Sequence, residues 1–398
     1  MLLKHQPLAI VALTTIFLLL ACNGHSSPVD EDSFPDELSG EGSDENDDDV
    51  LPETESVENE VQPDIDYYPC AENEHQVLHQ TVIIGATTSL TDYVGYTYFT
   101  GSLEFVADSM GGEKDLMLLS SLHCIGNDLN ITYTKKLQST KGLDQSLINI
   151  GGNIDIIGNE SLADTDGFNN ISEIKGWLDV WSNSNLSNYN GFKNVKQIGE
   201  YLNIGIQKNL INMNGFSGLE KVKSLILSSV WDLASLDGLQ NLNVISLSLQ
   251  ILDTSIQSLY GLNNLQTIGE EGSNGAVEIA SNPMLSSLEG LSIQMTKMNT
   301  SLTIANNPAL SSLTGLENIT SLSGRLQIVG NDTLADISDL YQLTHIGQAP
   351  QGEGNDLEII DNPMLPQCAA EKILENLQAN GFAGSYEISG NDTAATCE

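Results

Sequence analysis

The chain has 398 residues, with 14 Lys or Arg against 54 Asp or Glu, and a formal net charge of −40. A polyanion of this strength repels phosphate backbones and anionic lipid surfaces, which makes nucleic acid and acidic membrane faces poor partners.

At the N-terminus, Lys4 and His5 precede an apolar run, Leu8 to Leu20, that is too short to span a bilayer comfortably. The run ends in Leu19-Leu20-Ala21-Cys22, which resembles a lipobox, the site at which bacterial lipoproteins are lipidated and cleaved. The resemblance implies a signal peptide over residues 1–21 and a lipidated Cys22 as the first mature residue. Each acyl CH₂ buried in the membrane adds about 0.8 kcal/mol of anchoring. By similarity to enterobacterial sorting, Asn23 in place of Asp favours the outer membrane, facing either the cell surface or the periplasm. Residues 22–66 then hold 17 Asp or Glu and no Lys or Arg. Such a stretch cannot bury enough apolar surface to fold, and it reads as an acidic tether spanning roughly 35–40 Å.

From residue 67 to 398 a unit of about 24 residues recurs, most clearly over 178–201, 302–325 and 326–348. Self-similarity at this period predicts a mostly β, parallel leucine-rich solenoid. Strand starts align as Leu103, Leu129, Ile154, Leu178, Leu202, Leu225, Leu247, Val277, Leu302, Leu326, Leu357 and Tyr386, about twelve rungs, with a capping strand at Thr81 to Ile84. Within each strand the first and third side chains point inward and the middle one outward. A glycine recurs at Gly142, Gly167, Gly191, Gly215, Gly238, Gly261, Gly290 and Gly315, where the chain must turn without a Cβ. Five residues after seven of the strand starts stands an Asn: Asn159, Asn183, Asn282, Asn307, Asn331, Asn362 and Asn391. A stacked Asn at a corner bonds the backbone of its own and the neighbouring turn, so the column reads as structural. It lapses at Val230 and Leu252, beside Trp231, which marks a second apolar patch or a local change of shape.

Apart from Cys22, four cysteines remain, an even number in a compartment where disulfides persist. Three pairings are possible, and the positions favour Cys70 with Cys124 and Cys368 with Cys397, one clasp at each end of the stack. Residues 80–365 resemble the receptor L-domain, the right-handed leucine-rich solenoid of growth-factor receptor ectodomains. The likeness rests on Cys124-Ile125-Gly126-Asn127-Asp128-Leu129-Asn130-Ile131 and the repeated Leu-x-x-Leu and Gly-Leu or Gly-Phe. It implies the fold; hormone binding does not carry over, because the receptors' Cys-rich modules, membrane helix and kinase are missing. The stretch from Asn362 to Cys397 resembles the closing cap of bacterial lipoproteins with such repeats.

Motifs of catalysis are scarce. His75 and His79 are four apart without the Glu of a zinc-protease helix, and no phosphate loop or nucleophile elbow occurs. Arg325 is the sole arginine, so the acid-plus-base sets of β-helix polysaccharide lyases are not assembled, and no cofactor is expected. The sheet's outward positions are richer: Trp177, Asp179 and Trp181 share one strand, beside Asp155 on one side and Tyr201 and Asn203 on the other. Aromatic rings flanked by Asp and Asn suit stacking on a sugar or anchoring a peptide; Asp155 and Asp179 also offer oxygen ligands to Ca²⁺. The sequence therefore predicts a non-enzymatic surface lipoprotein that binds a protein or glycan. The alternatives are a structural envelope protein without a ligand and a polysaccharide-degrading enzyme.

Overall fold

The computed structural model describes residue 70 and residues 76–85, 87–106, 114–291, 295–348 and 354–397. The expected signal peptide, lipidation site and tether lie outside these residues. The described residues fall within one compact unit, Asp64–Glu398.

The unit is built on one fifteen-stranded sheet whose main path runs through thirteen strands in chain order, each paired in parallel with the next. They are β1 Val82–Ile84, β2 Leu103–Phe105, β3 Leu129–Thr132, β4 Ile154–Ile157, β5 Leu178–Trp181, β6 Gln197–Gln207 and β7 Lys221–Val230; then β8 Val244–Thr254, β9 Gly275–Ala280, β10 Thr300–Ala305, β11 Leu326–Val329, β12 Leu357–Ile360 and β13 Tyr386–Ser389. Alternation explains the packing. In β5, Leu178 and Val180 are fully buried while Asp179 and Trp181 are half-exposed. Residues at one pleat position stay on one face from strand to strand, so the inward pairs stack into a continuous core. A second wall is made of two-residue strands, Val77–Leu78, Tyr98–Phe99, Cys124–Ile125 and Asn149–Ile150. In β6 to β8 the two walls merge into strands of 10 or 11 residues, with register shifts at Ile198/Tyr201 and Val222/Ser224.

One strand start needs correction. The partner of Leu225 is Leu249, not Leu247. Leu247 and Leu249 have the same parity, and alternation cannot distinguish a slip of two residues; the irregular register between Val222 and Ser224 absorbs the extra length.

The third wall turns through short 3₁₀ helices such as Asp166–Phe168, Asn190–Phe192 and Asn214–Phe216. Their phenylalanines stack in a column, with ring centroids 5.1 Å apart for Phe168–Phe192 and 5.7 Å for Phe192–Phe216. The recurring glycine permits close approach of the rungs: a Cβ on Gly191 would come within 1.7 Å of the Thr165 carbonyl oxygen. Before each of several of these turns an Asp, Asn or Ser side chain accepts the backbone N–H two residues on, as Asp164, Asn188, Asn212, Ser235 and Asp336 do.

The Asn column forms as expected and is longer than the asparagines alone. Asn307 Nδ2 donates to Ile279 O at 2.9 Å, and its Oδ1 accepts the Asn282 backbone N–H at 3.0 Å. The same pattern links Asn282, Asn331, Asn362 and Asn391. Each ladder starts on a threonine whose hydroxyl meets the first Asn: Thr134 with Asn159 at 2.6 Å and Thr254 with Asn282 at 2.7 Å. Gln207 continues the first ladder. In the amide orientation that satisfies both atoms, it donates to Asn183 O at 2.9 Å and accepts from Asn183 N at 3.3 Å. The interruption is therefore Val230 alone. Leu252 is not a column position; it lies on the outer face, paired with Ala280, and Thr254 takes its place.

Just before the column, each rung places one residue in the left-handed region. Gly158, Gly330 and Gly390 suit it (φ 66–70°), and so do Asn306 and Asp361. Ile206 does not: it is β-branched, at φ 48°, and 41% exposed. Ile206→Asn is expected to raise stability by about 0.5–1 kcal/mol in a urea titration, by relieving this strain. An unchanged or lower midpoint would show that the isoleucine packs well enough to offset it.

The ends are closed as the cysteine positions predicted, by Cys70–Cys124 (Cα–Cα 5.8 Å) and Cys368–Cys397 (6.0 Å). At the C-terminal end, helix α1, Gln367–Ala379, covers the last rungs with Ala369, Ala370, Ile373, Leu374 and Leu377. This removes the open core that a stack otherwise exposes.

Candidate functional site

The middle outward positions of the strands line up in one row across the sheet. From β2 to β6 it reads Glu104, Asn130, Asp155, Asp179, Asn203, each the register partner of the next. Ile226 interrupts it, and from β8 to β13 it resumes as Gln250, Glu278, Thr303, Gln327, Glu358 and Glu387. In the second half the amides and carboxylates pair along the row, as in Thr303 Oγ1 to Gln327 Oε1 at 3.1 Å and Gln250 Nε2 to Glu278 Oε2 at 3.3 Å.

The first half carries the aromatic residues. Trp177, just before β5, and Tyr201, in β6, stack with centroids 5.3 Å apart and planes 3° from parallel. On the opposite side of the row Trp181 lies over Gly205, its register partner; a Cβ there would come within 1.9 Å of the indole ring. The glycine thus makes room for a flat ring on the next rung. Trp177 Nε1 donates to Asp155 Oδ1 at 2.8 Å, and Asn203 Nδ2 donates to Asp179 Oδ1 at 3.1 Å. The six predicted residues therefore form one cluster on three consecutive strands. Asn203 differs from expectation: it is only 4% exposed, because the neighbouring side chains cover it. The rings are half-buried rather than fully presented, since part of each face lies against its neighbour.

Two carboxylates side by side on adjacent parallel strands repel each other, and burial adds to the disadvantage of charge. Burial, then the Asp155 charge, push the Asp179 carboxyl up to about 7 against the single donor from Asn203. Burial also raises Asp155, opposed by the Trp177 bond and reinforced by Asp128. The site is an acidic trough between two aromatic walls, held partly protonated near neutral pH.

Elsewhere, Trp231 is 40% exposed and its Nε1 donates to Asp253 Oδ2 at 2.8 Å, as Ser229 Oγ does at 3.0 Å. This knot is local and recruits neither Val230 nor Leu252 into an exposed apolar patch, since both are buried. A cavity of about 390 Å³ opens where β6–β8 change register, lined by Glu200, Lys221, Lys223, Ser246, Leu247 and Glu270. There Lys223 Nζ sits 2.6 Å from Glu200 Oε2, so opposite charges meet within it. His79 is described and His75 is not; among the described residues no group of three or more His, Cys, Asp or Glu is placed to hold a metal ion.

Among solved structures the chain is similar to an internalin from Listeria monocytogenes, at 16% identity and a TM-score of 0.35, covering 76% of this chain and 82% of that one. No family model and no curated protein sequence matches the chain.

Three features of the site escaped the sequence reading. The Trp177–Tyr201 stack was visible only as two aromatic residues one repeat apart. Gly205 carried a signal, being a glycine at the pleat position that holds Trp181 one rung earlier. Asn130 was legible as the row's next member but stood apart from any aromatic residue.

Proposed function

We propose that the protein is a non-enzymatic outer-membrane lipoprotein, anchored through Cys22 and the acidic tether, that presents its solenoid to a protein or glycan ligand for recognition or adhesion. The resemblance to receptor L-domains and the lipobox support the class. The observation that carries the binding role is the trough: two carboxylates and a buried amide between the Trp177–Tyr201 stack and the Trp181 ring. A solvated structural face has no evident use for three aromatic rings around half-buried carboxylates. An enzymatic reading is disfavoured by distance. Arg325 precedes β11, six rungs from Asp179, about 29 Å at about 4.8 Å per strand.

Two measurements test the proposal. Protease shaving of intact cells, with a periplasmic protein as control, is expected to release the solenoid by cutting the tether; protection until the outer membrane is breached would turn the reading to a periplasmic one. In a glycan and envelope-protein binding screen, Trp177→Ala/Trp181→Ala is expected to abolish binding while leaving the circular dichroism unchanged. Retained binding would remove this face from the account.

A further inference from the structure

Where the chain leaves each strand for the Asn column, the left-handed corner residue is Gly, Ser, Asn or Asp on every rung from β3 to β13 but two. The exceptions are Tyr133, at φ 55°, and Ile206, at φ 48°. A bulky side chain is disfavoured in this region. Both side chains are also exposed, at 61% and 41%, so packing returns little for the strain. Strain of this kind gathers where a surface is used.

The two exceptions belong to one strip. At the adjoining outward position stand Ile157 in β4 and Trp181 in β5, register partners and both half-exposed. Tyr133, Ile157, Trp181 and Ile206 thus come from four consecutive rungs, β3 to β6, and present apolar surface side by side. The two rings lie along the sheet rather than standing off it. Each leans over the next rung, where a glycine leaves room for it. A Cβ on Gly158 would come within 2.6 Å of the Tyr133 ring. One on Gly205 would meet three successive atoms of the Trp181 six-membered ring at 1.9–2.7 Å, so the indole rests on this glycine by its face and turns the other face outward. Two rungs separate the rings, about 9.6 Å.

We propose that Tyr133, Ile157, Trp181 and Ile206 form a platform for a neutral, extended β-1,4-linked glycan that lies across the strands. The proposal rests on the reading of this face as a binding site and names its ligand. Spacing selects the linkage: two rungs match the two-sugar repeat of such a chain, so alternate sugars meet the two rings while the isoleucines carry the sugars between. Shape selects a sugar over a peptide. A pyranose offers a flat face of C–H bonds to an aromatic face, whereas a peptide anchors through side chains that fill pockets. Asp155 and Asp179 stand two residues before Ile157 and Trp181, on the same side of the same strands, and accept hydroxyl donors from the sugar edge. Charge selects neutrality, since a net −40 repels uronate and phosphate polymers.

The test is a titration of the full-length chain with cellohexaose, which is neutral and β-1,4-linked, with maltohexaose and a glucosamine hexamer as comparison ligands. The wild-type protein is expected to bind cellohexaose and to bind maltohexaose, whose α-linkage coils the chain, at least about tenfold more weakly. Tyr133→Ala is expected to weaken cellohexaose about tenfold. Gly205→Ala keeps every ring but lifts the Trp181 indole from its bed, and is expected to weaken binding by a similar factor. Ile206→Asn is expected to weaken binding severalfold while raising the urea midpoint, which separates lost binding from lost fold. Circular dichroism of each variant verifies the fold. No binding of cellohexaose, equal binding of maltohexaose, or equal affinities in the wild type, Tyr133→Ala and Gly205→Ala would overturn the platform. Preference for the glucosamine hexamer would overturn a neutral ligand. Cellohexaose binding lost in Trp177→Ala but kept in Tyr133→Ala would overturn this strip while leaving the face a binding site. Capture of an envelope protein that is lost in Trp181→Ala, with no glycan bound, would give the face a protein ligand and overturn the glycan.

Discussion

Replacing Asn307 by alanine is expected to destabilise the protein by about 2–4 kcal/mol. The side chain is fully buried and serves three rungs at once. It donates to Ile279 O on the rung before, accepts the backbone N–H of Asn282, and shares its own Nδ2 with Asn331 Oδ1 on the rung after. Alanine removes the side-chain donor to the Ile279 carbonyl, worth about 1 kcal/mol, and leaves the Asn282 N–H in the interior without its partner, at about 1–3 kcal/mol. Asn307→Asp keeps the acceptor but sets a carboxylate oxygen against the Ile279 carbonyl, so it is expected to be no better than alanine at neutral pH. Urea unfolding followed by far-UV circular dichroism checks both. A loss below about 1 kcal/mol would show that the column is an ornament of the corner rather than its support.

The second large effect is a gain. Asp179→Asn is expected to stabilise the protein above pH 7 by about 2 kcal/mol and to leave it nearly unchanged near pH 4. The folded carboxyl titrates at about 7, against 3.8 in the unfolded chain, so between those values the folded state holds a proton that the unfolded state has released. Wild-type stability from this group is therefore retained below about pH 4, falls as pH rises through the window, and is lost above about pH 8. At about 1.4 kcal/mol per unit the full shift is about 4 kcal/mol; solvent access and coupling to Asp155 reduce the expected value to about half. Asparagine removes the titration and keeps the shape. Melting temperatures of both proteins from pH 4 to 8 check the sign: the curves should diverge upward in pH, and convergence at pH 8 would contradict the burial argument.

How much was legible in advance follows from what each signal encodes. The parity of Leu178, Asp179 and Val180 was sufficient to place inner and outer faces, because a strand has a period of two and the core admits only one parity. That is also why Leu247 was mistaken for Leu249: a slip of two residues leaves parity intact, and only the bulges of β6–β8 decide it. The Asn column was readable as a spacing, whereas its threonine starts were not, since Thr134 and Thr254 bear a different side chain doing half of the same work. In the trough, the six residues were found by their pleat position. Their mutual commitments were not, since the indole of Trp177 could face either neighbour and the burial of Asn203 depends on three rungs at once. The strain at Ile206 leaves no trace in sequence, because isoleucine in a strand reads as favourable until the corner angle is known.

The central claim, that ligand is met at the aromatic trough on the sheet face, is tested most directly by photo-crosslinking in cells that make the full-length protein. A benzophenone side chain is placed at Ile157, the half-exposed register partner of Trp181, or at Tyr260, which is 55% exposed on the 3₁₀ wall. The account predicts a discrete adduct from position 157 and none from position 260. Equal adducts from both positions, or adducts from position 260 alone, would contradict it.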